Sequence, residues 1–177
     1  TRKLVLQIAG VSFVNQIIPF ALISGAEEHI SSGTASVLNA TVPIFTAAVA
    51  AAALDNEYFT RERAFGLLLG FAGVAVLTGD GVTDITSSSV LGELAVVAAA
   101  FSYGVGAVLN RRLLVGQDPT NLSFLQLSIG TVCAIPVLLA VTGGAPDYNL
   151  DPEAYASVLA LGMGGTGIAY IAFLWLI

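Results

Sequence analysis

The sequence has few charged residues and almost none of the residues that form disulfides or bind metals. Only 10% of its 177 residues are charged, against roughly 25% in soluble domains. The single cysteine, Cys133, excludes a disulfide framework and a cysteine-based metal site. The single histidine, His29, excludes most histidine-based sites. We therefore expect no metal and no other cofactor.

Basic residues are scarcer still, and this bounds the partners of the chain. Six lysines and arginines stand against twelve acidic residues, for a net charge of −6. Without a basic patch, nucleic acid is excluded as a partner. The sequence also shows no phosphate-binding loop, catalytic triad or paired catalytic groups within its apolar runs, so we predict a protein that is not an enzyme.

Long apolar runs dominate what is present. Hydrophobic residues make up 56% of the chain, and the mean hydropathy is +0.87. A helix needs about 17–25 mostly apolar residues to cross a bilayer. The sequence therefore predicts an all-α integral membrane protein, a multi-span helical bundle in the lipid bilayer. Its six predicted spans are Leu4–Ala26, Thr34–Leu54, Ala64–Leu77 (which is short), Leu91–Leu114, Leu122–Val141 and Tyr155–Ile177.

The charges between these spans predict an orientation. Six alternating spans place every basic residue on one side of the membrane: Arg2, Lys3, Arg61, Arg63, Arg111 and Arg112. The connections on the opposite side hold acidic residues and no basic ones. Because basic loops stay on the cytoplasmic side, we expect a multi-pass protein of the cell membrane (plasma or inner) with its basic loops in the cytoplasm.

Two of the spans carry the same polar motif. Asn15 and Pro19 in the first span, and Asn39 and Pro43 in the second, are both Asn-x-x-x-Pro. Proline has no N–H for the carbonyl four residues earlier, and the bilayer core has no water to replace it. In a continuous helix Asn39, Pro43 and Thr46 share one face. We predict a polar lining for a solute path; the alternative is a structural kink with an interhelical hydrogen bond.

Other polar groups extend this predicted path. Thr166 and Tyr170 are spaced i, i+4, which presents both hydroxyls on one helix face. The alternative for each hydroxyl is that it is buried in the core and hydrogen-bonded within the protein, without contacting a solute. The candidate solute-path residues are Asn15, Gln16, Pro19, Asn39, Pro43, Thr46, Tyr103, Thr166 and Tyr170.

Two glycine-rich stretches predict packing rather than chemistry. Gly162–Gly167 has the spacing GxGxxG but lies within an apolar span instead of after a strand, so we expect close helix contact there. Gly66, Gly70 and Gly73 share one face of the third span. Packing within the chain is the favoured interpretation of that face, and a homodimer contact is the alternative.

The order and spacing of several segments resemble the EamA family of the drug/metabolite transporter superfamily, from its third span to its eighth. The segments that carry the resemblance are Phe20–Gly33, Leu38–Phe45, Gly66–Leu77, Gly92–Leu94, Ala99–Gly104 and Gly165–Tyr170, with the acidic Glu57 after the second span. The resemblance implies that this is a fragment of a ten-span protein built from two inverted five-span repeats. Residues 1–79 would be the C-terminal part of the first repeat, 80–89 an extracytoplasmic linker and 90–177 the N-terminal part of the second.

The resemblance also implies a function. Proteins of this family are secondary active transporters, commonly exporters of small metabolites such as amino acids or of toxic compounds, working by alternating access. The positions that match are Asn15, Pro19, Asn39, Pro43, Thr166 and Tyr170. A nucleotide-sugar or sugar-phosphate carrier is a first alternative, disfavoured because no lysine or arginine lies within a span to pair with phosphate. A non-transporting membrane scaffold is the second.

Overall fold

The computed structural model describes residues 2–54, 60–78, 87–142 and 151–176. Within these ranges the chain is helical, apart from short connections, and contains no strand, which confirms the all-α prediction. The α-helices are α1 (Arg2–Ser12), α2 (Ile18–Ala26), α3 (Ser32–Asn39), α4 (Val42–Ala53), α5 (Arg61–Thr78), α6 (Ser87–Leu113), α7 (Pro119–Thr142), α8 (Pro152–Ala160) and α9 (Ala169–Leu176). Two π-helical segments, Phe13–Ile17 and Leu161–Ile168, join α1 to α2 and α8 to α9.

Five helical stretches among the described residues are long and apolar enough to cross a membrane. They agree with five of the predicted spans to within a few residues: Arg2–Ala26, Ser32–Ala53, Val90–Leu113, Pro119–Val137 and Pro152–Leu176. The remaining predicted span, Ala64–Leu77, lies within the helix α5. The first turn of α5 holds Arg61, Glu62 and Arg63, so its apolar part is short for a span, and a bilayer accommodates such a helix by local thinning.

The first span changes its winding in the middle, at the predicted motif. The π segment Phe13–Ile17 includes Asn15 and ends just before α2, whose first turn contains Pro19. A proline removes one helical hydrogen bond and its ring crowds the preceding turn. A wider turn directly before the proline relieves that crowding, and π turns of this kind are frequent at functional sites.

The second span is divided rather than continuous. The helix α3 ends at Asn39, Ala40 and Thr41 form a turn, and α4 begins at Val42 with Pro43 in its first turn. Proline suits a first turn because the N–H groups there lack helical acceptors. The expectation of one uninterrupted helix over Asn39, Pro43 and Thr46 is therefore wrong.

The last span has the longer π segment, and it coincides with the glycine-rich stretch. At Gly162 and Gly164 an added Cβ would meet nothing within 4 Å, and at Gly165 it would meet only Leu161 of the same segment. The predicted close contact with another helix is therefore wrong for the part of the chain that the structure describes. Glycine weakens a regular helix by about 1 kcal/mol per residue, which favours an irregular winding here.

The described chain groups into two units. One unit is Val14–Arg112, and its apolar core is formed by Ala26, Ala35 and Val96, with Ile30 and Leu38 packed around them. Gly92 permits this packing, because an added Cβ would lie 2.9 Å from Cγ2 of Ile30.

The other unit combines Thr1–Phe13 with Leu113–Ile177. In it, the helix α1 packs on α7, and α7 packs on α9. Ile8 and Val11 of α1 are almost completely buried.

The glycine face of α5 and the predicted linker 80–89 differ from what the sequence predicts. The glycine face of α5 is open: at Gly66, Gly70 and Gly73 an added Cβ would meet nothing within 4 Å, so packing of this face against the described part of the chain is wrong. Of the predicted linker 80–89, residues 80–86 lie outside the described residues, and residues 87–89 already form the first turn of α6. The acidic Glu57 also lies outside them.

One close approach holds α6 against α4. At Gly104 an added Cβ would lie 2.8 Å from the backbone nitrogen of Thr46 and 2.9 Å from the carbonyl carbon of Phe45. Beside this contact, the rings of Phe45 and Phe101 meet edge to face, with centroids 5.7 Å apart. Backbone atoms cannot move aside as a flexible side chain can, so only glycine fits at position 104.

Gly104→Ala should destabilise the protein, because the new methyl group pushes α4 and α6 apart; overpacking of this kind costs about 1–3 kcal/mol. Thermal unfolding of the purified protein in detergent measures the loss. Gly25→Ala is the matched control, since an added Cβ there meets nothing within 4 Å and should be neutral or stabilising. Equal unfolding temperatures for the two variants would contradict the close approach.

Candidate solute path

The predicted solute-path residues fall into two sets. One set lies in the unit Val14–Arg112 and the other in the unit that includes α7 and α9. The first set is Asn15, Gln16, Pro19, Asn39, Pro43, Thr46 and Tyr103, and the second is Thr166 and Tyr170.

The π segment of the first span is the most deeply buried part of the first set. Asn15 is 4% exposed and Gln16 is 7% exposed, and Pro19 beside them is buried. The hydroxyl of Ser102 on α6 donates a hydrogen bond of 2.6 Å to the carbonyl of Val14. A carbonyl in a widened turn thus finds its partner on a neighbouring helix, as the water-free bilayer requires.

Gly106 places α6 directly against the asparagine of this segment. An added Cβ at Gly106 would overlap Oδ1 of Asn15 and lie 2.6 Å from its Cβ and 2.7 Å from its Cγ. Gly104 and Gly106 are two residues apart and permit contact with α4 and with the π segment, respectively. Tyr103 lies between them in sequence and is half-buried. The stretch 102–106 of α6 therefore contacts both interrupted spans of this unit.

The buried amide atoms in this unit without a hydrogen-bond partner among the described residues include Nε2 of Gln16 and Oδ1 of Asn39. One is a donor and the other an acceptor. A buried polar atom without a partner costs about 1–3 kcal/mol, so native proteins retain few of them without a functional reason. These two amides are the groups in this unit most available to a polar solute.

The remaining candidates of the second span differ from one another. Pro43 is exposed, whereas Thr46 is half-buried. The Thr46 hydroxyl donates to the carbonyl of Val42 in its own helix at 2.8 Å, which leaves only its acceptor capacity for another group. Thr41 similarly donates to the carbonyl of Leu38 at 2.6 Å, satisfying a carbonyl at the end of α3.

Thr166 and Tyr170 are both half-buried in the last span. The phenol of Tyr170 donates a hydrogen bond to Oε1 of Gln126 on α7. The candidate list drawn from the sequence did not include Gln126. The sequence contained a usable signal, because Ser123, Gln126 and Gly130 are spaced along one face of an apolar helix. In the structure all three residues are buried.

Charged and metal-binding groups are sparse around these positions. No cluster of three or more histidine, cysteine, aspartate or glutamate residues lies within the described ranges. Outside the spans, the pKa of Glu62 is lowered because its backbone N–H and the Thr60 hydroxyl donate hydrogen bonds to its carboxylate. The polar groups within the first, second and last spans at the candidate positions are amides and hydroxyls, which do not change charge at physiological pH.

Together, the apolar spans, their interruptions and the buried amides define the class: a multi-span helical membrane protein with polar groups inside its spans. The EamA-like transporter family matches residues 1–79 and 90–177, and the chain belongs to this family.

Several curated relatives are named as transporters. The chain is 27% identical over 150 residues to the "Uncharacterized transporter YoaV" of Bacillus subtilis, covering 85% of this chain and 51% of the relative. It is 29% identical to a "Probable terminal-alkyne amino-acid exporter" of Streptantibioticus cattleyicolor, covering 86% of this chain and 49% of the relative. It is 25% identical to an "S-adenosylmethionine uptake transporter" of Rickettsia felis, covering 80% of this chain and 44% of the relative. The chain thus spans about half the length of these relatives. No solved structure matches it.

Gly106→Ala should destabilise the protein by about 1–3 kcal/mol, because the new methyl group overlaps the Asn15 side chain. A double-mutant cycle by thermal unfolding identifies the cause. In an Asn15→Gly background, where all three overlapping atoms are gone, the penalty of Gly106→Ala should largely disappear.

Gly10→Ala serves as the control for this cycle, since an added Cβ there meets nothing within 4 Å. If Gly106→Ala costs the same with and without the Asn15 side chain, the two residues are not in contact.

Proposed function

We propose that the intact protein is a secondary active transporter that exports small metabolites, such as amino acids, or toxic compounds by alternating access. Membership of the EamA-like transporter family supports the transporter role. The relative named as an amino-acid exporter supports the direction and the substrate class, whereas the S-adenosylmethionine uptake relative favours import. Uptake and efflux in proteoliposomes measure transport in both directions.

The observation that carries this proposal is the buried, unpartnered Nε2 of Gln16, in a span that changes its winding at that residue. Polar side chains within spans usually face a cavity or the interior of the bundle, because lipid does not satisfy them. An amide donor there can bind the oxygen of a passing solute. We assign the path to the nine predicted residues on this basis, with Gln16 and Asn39 as its strongest members.

The absence of charge from the candidate residues bears on the solute. Within the five spanning stretches found among the described residues, lysine and arginine occur only towards the ends. Anionic phosphate needs cationic partners, so a nucleotide-sugar or sugar-phosphate carrier is disfavoured. A non-transporting scaffold remains the alternative from another class, and it predicts no solute movement at all.

We place the protein in the cell membrane with its basic loops in the cytoplasm. All six basic residues lie on one side when the predicted spans alternate, and basic loops are retained on the cytoplasmic side. A homodimer through the open glycine face of α5 is compatible with this arrangement.

Asn39→Leu should abolish transport while leaving membrane insertion intact. Leucine has a similar size but cannot accept a hydrogen bond, so any solute contact with Oδ1 is lost. The measurement uses the intact protein in proteoliposomes, with uptake and efflux of a panel of labelled amino acids followed with and without a proton gradient.

Ser36→Ala is the control for Asn39→Leu. Ser36 is one turn earlier on α3, is exposed, and donates only to the carbonyl of Ser32 in its own helix. Its variant should transport at the wild-type rate. Full transport by Asn39→Leu would remove Asn39 from the path, and movement of no panel member by the wild-type protein would contradict the proposed function itself.

A further inference from the structure

The fully buried glutamine of α7 has no role in the solute path described so far. Gln126 is 0% exposed and lies seven residues after Pro119, the first residue of its helix. At 1.5 Å per residue, this places it about 10 Å into the span. A primary amide at this depth is expensive unless its oxygen and nitrogen are hydrogen-bonded.

Gln126 is hydrogen-bonded to two other helices. The hydroxyl of Ser12, on α1, donates to the backbone carbonyl of Gln126 at 3.2 Å. The phenol of Tyr170, on α9, donates to its side-chain Oε1. One residue of α7 therefore connects α1, α7 and α9 of the same unit through polar contacts.

Both contacts lie at the margins of the π segments. Ser12 is the last residue of α1, directly before the π segment Phe13–Ile17. Tyr170 is the second residue after the π segment Leu161–Ile168. A π turn is less regular than an α-helix, so side chains at its margins need an external contact to keep one orientation. Gln126 supplies that contact to both.

The direction of the second hydrogen bond has a chemical consequence. Because the Tyr170 O–H proton is donated to Oε1 of Gln126, the phenol oxygen has only lone pairs left to offer. A group that approaches this oxygen must therefore be a donor, such as an ammonium, a hydroxyl or an amide N–H. A carbonyl or carboxylate oxygen approaching it would meet lone pairs and be repelled.

We propose that Gln126 is a positioning residue that holds Tyr170 as a hydrogen-bond acceptor for the donor group of the transported solute. This rests on the proposed function, because it takes Tyr170 to lie on the solute path. Tyr170 touches the solute, and Gln126 acts through it. The amide fixes both the direction of the phenol proton and the orientation of the ring, which is half-buried beside Phe173.

The test compares two variants of similar size at position 126 in the intact protein. Gln126→Met removes the acceptor, whereas Gln126→Glu in its neutral form keeps a carbonyl oxygen in place. Uptake is measured in proteoliposomes with the amino acid of the panel that gives the largest signal. Gln126→Met should raise KM about tenfold with little change in the maximal rate, because solute binding is lost rather than the transport cycle. Gln126→Glu should restore most of the affinity.

The same variants in a Tyr170→Phe background show whether Gln126 affects KM by positioning the Tyr170 phenol or by stabilising the protein as a whole. If Gln126 acts through the phenol, Gln126→Met should cause no further rise in KM once the hydroxyl is gone. Ser123→Ala is the control, because Ser123 is buried on the same helix but donates only to the carbonyl of Pro119 in its own helix. A tenfold effect of Gln126→Met that persists in Tyr170→Phe would overturn the proposal.

A spectroscopic measurement tests the contact without transport. The Raman doublet of tyrosine reports whether the phenol donates a hydrogen bond, and subtracting the Tyr170→Phe spectrum isolates Tyr170. Gln126→Met should shift this signal away from the donor form, and an unchanged signal would overturn the positioning role. A shifted signal in a protein that moves no amino acid of the panel would support the contact while overturning the proposed function.

Discussion

The bilayer core contains no water, and this constraint governs the rest of the structure. Every backbone or side-chain polar group within a span must find its partner in the protein or in a water-filled cavity, which is why the spanning stretches are helices. At the interruptions of the first and second spans, hydroxyl groups add hydrogen bonds to backbone carbonyls. Ser102 donates to the carbonyl of Val14 at the first π segment, and Thr41 donates to the carbonyl of Leu38 at the break in the second span. The interruptions are thus built into the fold with their own hydrogen bonds.

The same constraint explains why function and packing share residues. Interrupted helices place amides such as Gln16 and Asn39 inside the spans with atoms that the described residues do not satisfy. Close approach of a neighbouring helix to these interruptions requires glycine, which is present at positions 104 and 106. The tight helix contact at these glycines lies along the same stretch of α6 as the proposed path for polar solutes. In the other unit, Gln126 contributes a packing contact through its hydrogen bonds to Ser12 and Tyr170, and its role on the path is proposed above.

The sequence predicted some parts of this arrangement and missed others for physical reasons. Hydropathy located five spans to within a few residues because membrane insertion depends on local apolar length. Each Asn-x-x-x-Pro motif coincides with an interruption, but a missing N–H does not decide between a π turn and a divided helix. The glycine-rich stretch 162–167 was misinterpreted, because glycine shows only that a side chain is lacking and not what lies opposite it.

Read by itself, the sequence determined the class of the protein, its spans, its resemblance to EamA transporters and the presence of uncharged polar groups within the membrane. These properties depend on neighbouring residues along the chain. Only the tertiary structure decided which groups meet. The Ser102 and Ser12 hydroxyls bond to carbonyls 88 and 114 residues away, and Tyr170 finds its acceptor 44 residues earlier. Hydrogen bonds over such separations depend on helix packing, which local composition and spacing do not determine.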